Sequence, residues 1–103
     1  DKLFLHKNLT VQRFADIVNL PTREVSQAIN TQYGSNFLEF VNAFRVEEAK
    51  RLLRDDEQVH LTIGDIIRKS GFNSKSAFHR FFKRFTGTTP TAYKEQSASE
   101  AAG

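Results

Sequence analysis

Apolar residues recur along this chain with helical spacing, and no segment alternates apolar and polar positions like a half-buried strand. Behind Thr10, a residue suited to cap a helix start, Val11, Phe14, Ala15 and Val18 fall at i, i+3, i+4 and i+7. Asn19-Leu20-Pro21 breaks this helix, because proline disfavours helical geometry in the residue before it. Val25, Ala28, Ile29, Gln32 and Tyr33 form the next stripe, closed by Gly34 where a left-handed residue is wanted. Asn36, with Glu39 three residues later, is a capping box that opens the longest helix. Its apolar face is Phe37, Phe40, Val41, Phe44, Ala49, Leu52 and Leu53, and the polar run Arg54-Asp55-Asp56-Glu57 ends it.

The plan then starts again. Thr62 caps Ile63, Ile66 and Ile67, with Gly71 at the stop. Ser74 or Asn73 caps a helix whose apolar side is Ala77, Phe78, Phe81, Phe82 and Phe85, closed near Gly87. Thr89-Pro90 reads as an N-cap followed by proline at the first helical position, opening a short last helix through Tyr93. Residues 97–103 are small and polar and are expected to fray. At the front, Leu3-Phe4-Leu5 reads as one apolar turn docking onto the helices after it. Laid over each other, the halves show a weak internal repeat. Thr10 matches Thr62, Phe14 matches Ile66 and Leu20 matches Phe72; after one gained residue Val25 matches Phe78, Ile29 matches Phe82 and Gly34 matches Gly87. Each unit, 10–34 and 62–87, is a helix, a tight turn and a second helix, and a linker helix over 36–53 joins them. The fold class is all-α, two helix-turn-helix subdomains in one domain.

Composition narrows the chemistry. A chain of 103 residues is one compact domain or two very small lobes sharing an element. Without cysteine it has no disulfide, thiolate metal site or cysteine nucleophile. His6, His60 and His79 are too scattered to suggest a metal site, and no apolar run reaches the ~18 residues of a membrane span. The chain opens at Asp1 rather than methionine and is read as a piece of a longer protein. Net charge is only +3, but residues 62–94 carry seven Lys/Arg against Asp65 alone. Such a stretch in folded sequence is a candidate polyanion-binding face, against the plainer reading of a solvated surface.

In a helix-turn-helix the second helix meets base edges in the major groove, so its outward residues carry the information. Setting aside the apolar stripe leaves Arg23, Glu24, Ser26, Gln27 and Asn30 in the first unit. In the second it leaves Lys75, Ser76, His79, Arg80 and Lys83. Arginine, lysine, glutamine and asparagine can pair with guanine or adenine edges. Singly these are ordinary solvent-facing residues; as matching faces of a repeated unit they point to duplex DNA. The ten phenylalanines do not make a stacking platform for single strands, because Phe37, Phe40 and Phe44, like Phe78, Phe82 and Phe85, share helical faces and read as core. His79 has no serine or carboxylate motif beside it and reads as a surface contact, while Asp65 suits a helix dipole in a first turn.

The run Gly71-Phe72-Asn73-Ser74-Lys75-Ser76-Ala77-Phe78-His79-Arg80-Phe81-Phe82-Lys83-Arg84-Phe85-Thr86-Gly87-Thr88-Thr89-Pro90 resembles the signature of AraC/XylS-type transcription regulators. Arg45-Val46-Glu47-Glu48-Ala49-Lys50-Arg51-Leu52-Leu53 is similar to the linker-helix signature of that family. The resemblance spans about Leu9 to Lys94. It implies seven helices in two lobes, with base contacts at Arg23, Ser26 and Gln27 and at Lys75, Ser76, His79 and Arg80. Three positions depart from the family pattern: Asn19 in place of glycine, Pro21 in place of a capping serine, and Lys94 in place of arginine. Asparagine tolerates a left-handed backbone, and Thr22 is expected to take over the cap, shifting that helix by one residue.

The resemblance thus implies the DNA-binding domain of a bacterial, cytoplasmic transcription regulator, not an enzyme and needing no cofactor. Its partners would be double-stranded DNA and RNA polymerase, with dimerisation, if any, through a further N-terminal domain and no membrane contact from this segment. Two alternatives stay open: a helical protein-interaction module without DNA readout, and the targeting part of a DNA-modifying enzyme.

Overall fold

The computed structural model describes residues 3–6, 9–54 and 61–102. Among them are six α-helices and no strand: α1 Val11–Val18, α2 Thr22–Tyr33, α3 Phe37–Arg54, α4 Ile63–Lys69, α5 Lys75–Thr86 and α6 Pro90–Ala102. Leu3–Leu5 forms a single 3-10 turn. The expected seven helices are therefore six, since three residues cannot close the repeated i to i+4 bonds of an α-helix. Asp55, Asp56 and Glu57, expected as a polar loop, and His60 lie outside the described residues.

Local chemistry sets the helix ends. Thr10 Oγ1 accepts from the Arg13 amide at 3.1 Å, and Asn19 closes α1 in the left-handed region at φ 59°. Thr22 does not cap α2: Pro21 takes the cap position with extended backbone, no side-chain bond is made there, and Thr22 is the first helical residue. The ring already holds φ near −60°, which suits an extended cap residue. At α3 the Glu39 amide donates to Asn36 Oδ1 at 2.9 Å, but the Glu39 carboxylate, expected to reach back to the cap, meets Arg84 instead. The full capping box forms at α4, where Thr62 and Asp65 satisfy each other's amides at 3.0 and 3.1 Å. Ser70, not Gly71, occupies the cap position that ends α4. Ser74 settles the start of α5 by accepting from the Ala77 amide at 3.1 Å. The last helix continues well past Tyr93 to Ala102. The segment after Tyr93 contains no glycine or proline until Gly103, so nothing in it breaks the helix.

Two cores lie at opposite ends of α3. The smaller buries Ala15, Val25 and Ile29, with Phe14, Phe37 and Phe40 packed around them. The larger runs from Val46, Ala49, Leu52 and Leu53 to Ile66, Phe72, Phe78, Phe81 and Phe82. The molecule measures 47 × 23 × 23 Å, and its radius of gyration of 15.1 Å exceeds the ~13 Å of a compact chain this long. Three aromatics read as core or as part of an apolar stripe are not buried: Tyr33, Phe44 and Phe85 are 61%, 43% and 42% exposed. They sit at the seam between the cores, where neither core reaches far enough to cover them.

The N-terminal turn joins the second core. Arg45, only 6% exposed, donates from Nε to Phe4 O at 2.6 Å, from Nη2 to His6 O at 2.8 Å and from Nη1 to Asn42 Oδ1 at 2.8 Å. Burial pushes the pKa of its guanidinium down from the ordinary value. Across from it, Gly71 has φ +93°, and a Cβ there would come within 2.7 Å of Leu5 Cα and Phe4 O. Glycine is required twice over, by the backbone and by the turn lying on it.

Candidate nucleic-acid interface

The ten outward residues singled out from the sequence, Glu24 among them, occupy the second helix of each pair. Arg23, Ser26, Gln27 and Asn30 lie at i, i+3, i+4 and i+7 on α2, and all four are exposed. Val25 and Ile29, on the opposite side, are buried at 5% and 4%. On α5 the exposed set is Lys75, Ser76, His79, Arg80 and Lys83, while Phe78 and Phe82 beneath it are fully buried. Each pair thus holds one helix by an apolar face and turns its polar face outward.

The two faces differ in charge. The first turn of α2 carries Glu24 and its last turn has no basic residue. The first turn of α5 has no acidic residue, and Lys83 and Arg84 stand in its last turn. Lys75 heads α5, at the helix end where the dipole disfavours a cation, so its position adds positive potential rather than helix stability. Lys75, Arg80 and Lys83 make no ion pair among the described residues. Arg68 is not equally available, because Asp65 holds it. Asp65 has its carboxyl held below the ordinary carboxylate range, first by the Thr62 backbone amide, with the Thr62 hydroxyl and Arg68 adding to it.

Ring contacts orient two members of the α5 face. The Arg80 guanidinium stands 4.9 Å from the Phe81 ring centroid, and the His79 ring lies edge-on to Phe78 at 5.3 Å. Arg80 also borders a cavity of about 280 Å³ with Leu9 and with Leu38 and Asn42 of α3, which places it on the side of α5 turned toward the first half of α3. Sequence reading missed the role of Arg45 as the clamp of the N-terminal turn and the pairing of Arg84 with Glu39. Both join residues about 40 positions apart, beyond any periodicity. No helix among the described residues is long and apolar enough to cross a membrane.

A family model described as a helix-turn-helix domain matches residues 14–96. The chain belongs to the AraC-type helix-turn-helix family. An uncharacterized HTH-type transcriptional regulator of Staphylococcus aureus is 32% identical over 93 residues, which is 90% of this chain. The chain spans only 12% of that protein's length. The C-terminal domain of AraT, a response regulator from Geobacillus stearothermophilus, is 26% identical and superposes with a TM-score of 0.78 over 92% of this chain and 76% of that one. The DNA-binding domain of AdpA, a global transcriptional factor solved in complex with a target DNA, has a TM-score of 0.80 over 96% of this chain and 86% of that one. At 24% identity that likeness establishes the shared fold.

Proposed function

We propose that this chain is the sequence-specific duplex-DNA-binding domain of a transcription regulator, with α2 and α5 as recognition helices in successive major-groove segments. The observation that carries the reading is the pair of exposed polar faces, Arg23 to Asn30 and Lys75 to Lys83, each on the second helix of a pair and each backed by a buried apolar face. The 47 Å length of the molecule supports it, since one DNA turn is ~34 Å and both helices can lie along one side of the duplex. Related chains described as transcriptional regulators support it too.

Arg23, Gln27, Asn30, Lys75 and Arg80 read base edges, Ser26, Ser76 and His79 add shorter polar contacts, and Lys83 meets the phosphate backbone. Because the two faces differ in sequence, the bound site is asymmetric. The two helix pairs act as separate subdomains joined by α3. The domain works in the cytoplasm as a binding module rather than an enzyme and uses no cofactor. Contact with RNA polymerase and any dimerisation belong to the whole regulator.

Selection from random duplex DNA at stated salt tests this directly. An enriched asymmetric site is the expected result, with affinity falling on the order of 10³-fold between 50 and 200 mM salt if five to seven phosphates are neutralised. A flat salt response, or no enriched site, would mark the domain as a protein-interaction module.

A further inference from the structure

Glu39 and Arg84 come from different parts of the molecule. Glu39 lies in the first turn of α3, between Phe37 and Phe40, which pack on the small core. Arg84 lies in the last turn of α5, two residues beyond Phe82 of the large core. Their side chains meet at 2.7 Å, Arg84 Nη1 to Glu39 Oε1, with Glu39 25% and Arg84 56% exposed. The contact therefore ties the start of α3, the stretch beside the small core, to the end of α5 beside the large one.

The inner side of the middle of α3 is buried at Val41, Asn42, Arg45 and Val46, but its outer side is not covered. The seam beside it is an open groove of about 430 Å³ lined by Tyr33, Phe40, Phe44 and Phe85. Tyr33 and Phe40 meet at 5.0 Å and Phe40 and Phe44 at 5.1 Å, but Phe85 on the α5 side stays 42% exposed. Among the described residues the bridge is the ion pair that joins α5 to α3. α3 has no proline or glycine to kink it, but long helices curve gently, and a change of curvature between the two cores would change how α2 sits relative to α5.

We propose that Glu39 and Arg84 are positioning residues: their ion pair braces α3 and sets the placement of the two recognition helices, and with it the spacing between DNA segments that the domain accepts. The spacing part rests on the DNA-binding reading; the bracing part does not. Arg84 in this role faces the seam and not a phosphate, although it belongs to the basic stretch.

The chain has no cysteine, so Gln32→Cys and Thr91→Cys, both at exposed positions, place one spin label beside each core. The distance distribution between them should broaden or shift in Glu39→Gln and in Arg84→Gln, and return in the exchanged pair Glu39→Arg with Arg84→Glu. An unchanged distribution in both single variants overturns the proposal. On the selected duplex, and on versions with one base pair added or removed between the two segments, each single variant should lose about two- to fivefold of the discrimination between spacings, the range a partly exposed ion pair supports. Equal weakening at every spacing by Arg84→Gln, with no effect of Glu39→Gln, would assign Arg84 to a phosphate and also overturn it. A changed distribution in a chain that binds no duplex would remove the DNA reading and leave the brace in place.

Discussion

The first and second helix pairs follow one plan with unequal means. Leu20 and Phe72 occupy equivalent turns, yet Leu20 is 50% exposed and Phe72 is 2% exposed. Thr10 and Thr62 both cap, but Thr62 is answered by the Asp65 carboxylate, whereas Arg13 stands at the corresponding place in α1. The second pair also receives the N-terminal turn, α6 and the longer end of α3, while the first rests mainly on α1, α2 and the start of α3. Burial and positive charge are concentrated in the same unit. The second pair thus has the larger core and the more basic face, and on the proposed function it would be the strongly attracting half, with the near-neutral first pair contributing selection.

The sharpest way to break this comparison is to hollow each core at equivalent sites. Phe82→Ala should cost about 3–5 kcal/mol by opening a cavity in a surround that cannot close. Ile29→Ala should cost about 2 kcal/mol, because its thin, partly exposed surround can collapse. Denaturant melts of both variants check this, and equal losses would end the claim of unequal cores.

The clamp comes next. Arg45→Met should destabilise by about 1–3 kcal/mol, since Phe4 O, His6 O and Asn42 Oδ1 lose a donor together. Amide exchange should quicken in α4 and α5 before α1 and α2, and the reverse order would remove the N-terminal turn from the second unit.

On DNA, Arg80→Ala should cost about 1–3 kcal/mol and relax discrimination at one base pair, while Lys83→Ala should weaken all sequences alike and lower the salt slope by about one. Lys75 and Arg80 replaced together by alanine can be compared with Arg23 and Gln27 replaced together, on selected and scrambled duplexes. Greater loss on scrambled DNA from the first-unit pair would reverse the division of labour.

The smallest effect concerns the caps. Thr62→Ala should cost more than Thr10→Ala within the usual range of about 0.5–2 kcal/mol. Asp65 is more acidic folded than unfolded, so its contribution is complete above the ordinary carboxylate pKa of about 4 and disappears as pH falls through the lower folded value. Melting temperatures of wild type and Asp65→Asn should therefore differ at neutral pH and converge in strong acid.

Sequence spacing alone determined where the first five helices lie, though not every cap or the reach of the last helix, because hydrophobic period and capping are local: Thr10, Ser74, Gly34 and Gly87 act on amides and carbonyls within a few residues. It also determined the outward faces of α2 and α5, since the stripe that holds a helix leaves its opposite side to solvent. The same local logic overreached at Phe44 and Phe85. Periodicity reports which face a residue shares, but not whether another element arrives to cover it. The reach of Arg45 to Phe4 and His6, the closeness of Gly71 to Leu5 and the meeting of Glu39 with Arg84 were decided only by the tertiary structure. Each depends on where chain folding brings residues distant in sequence, and no residue in those pairs carries a local mark of its partner.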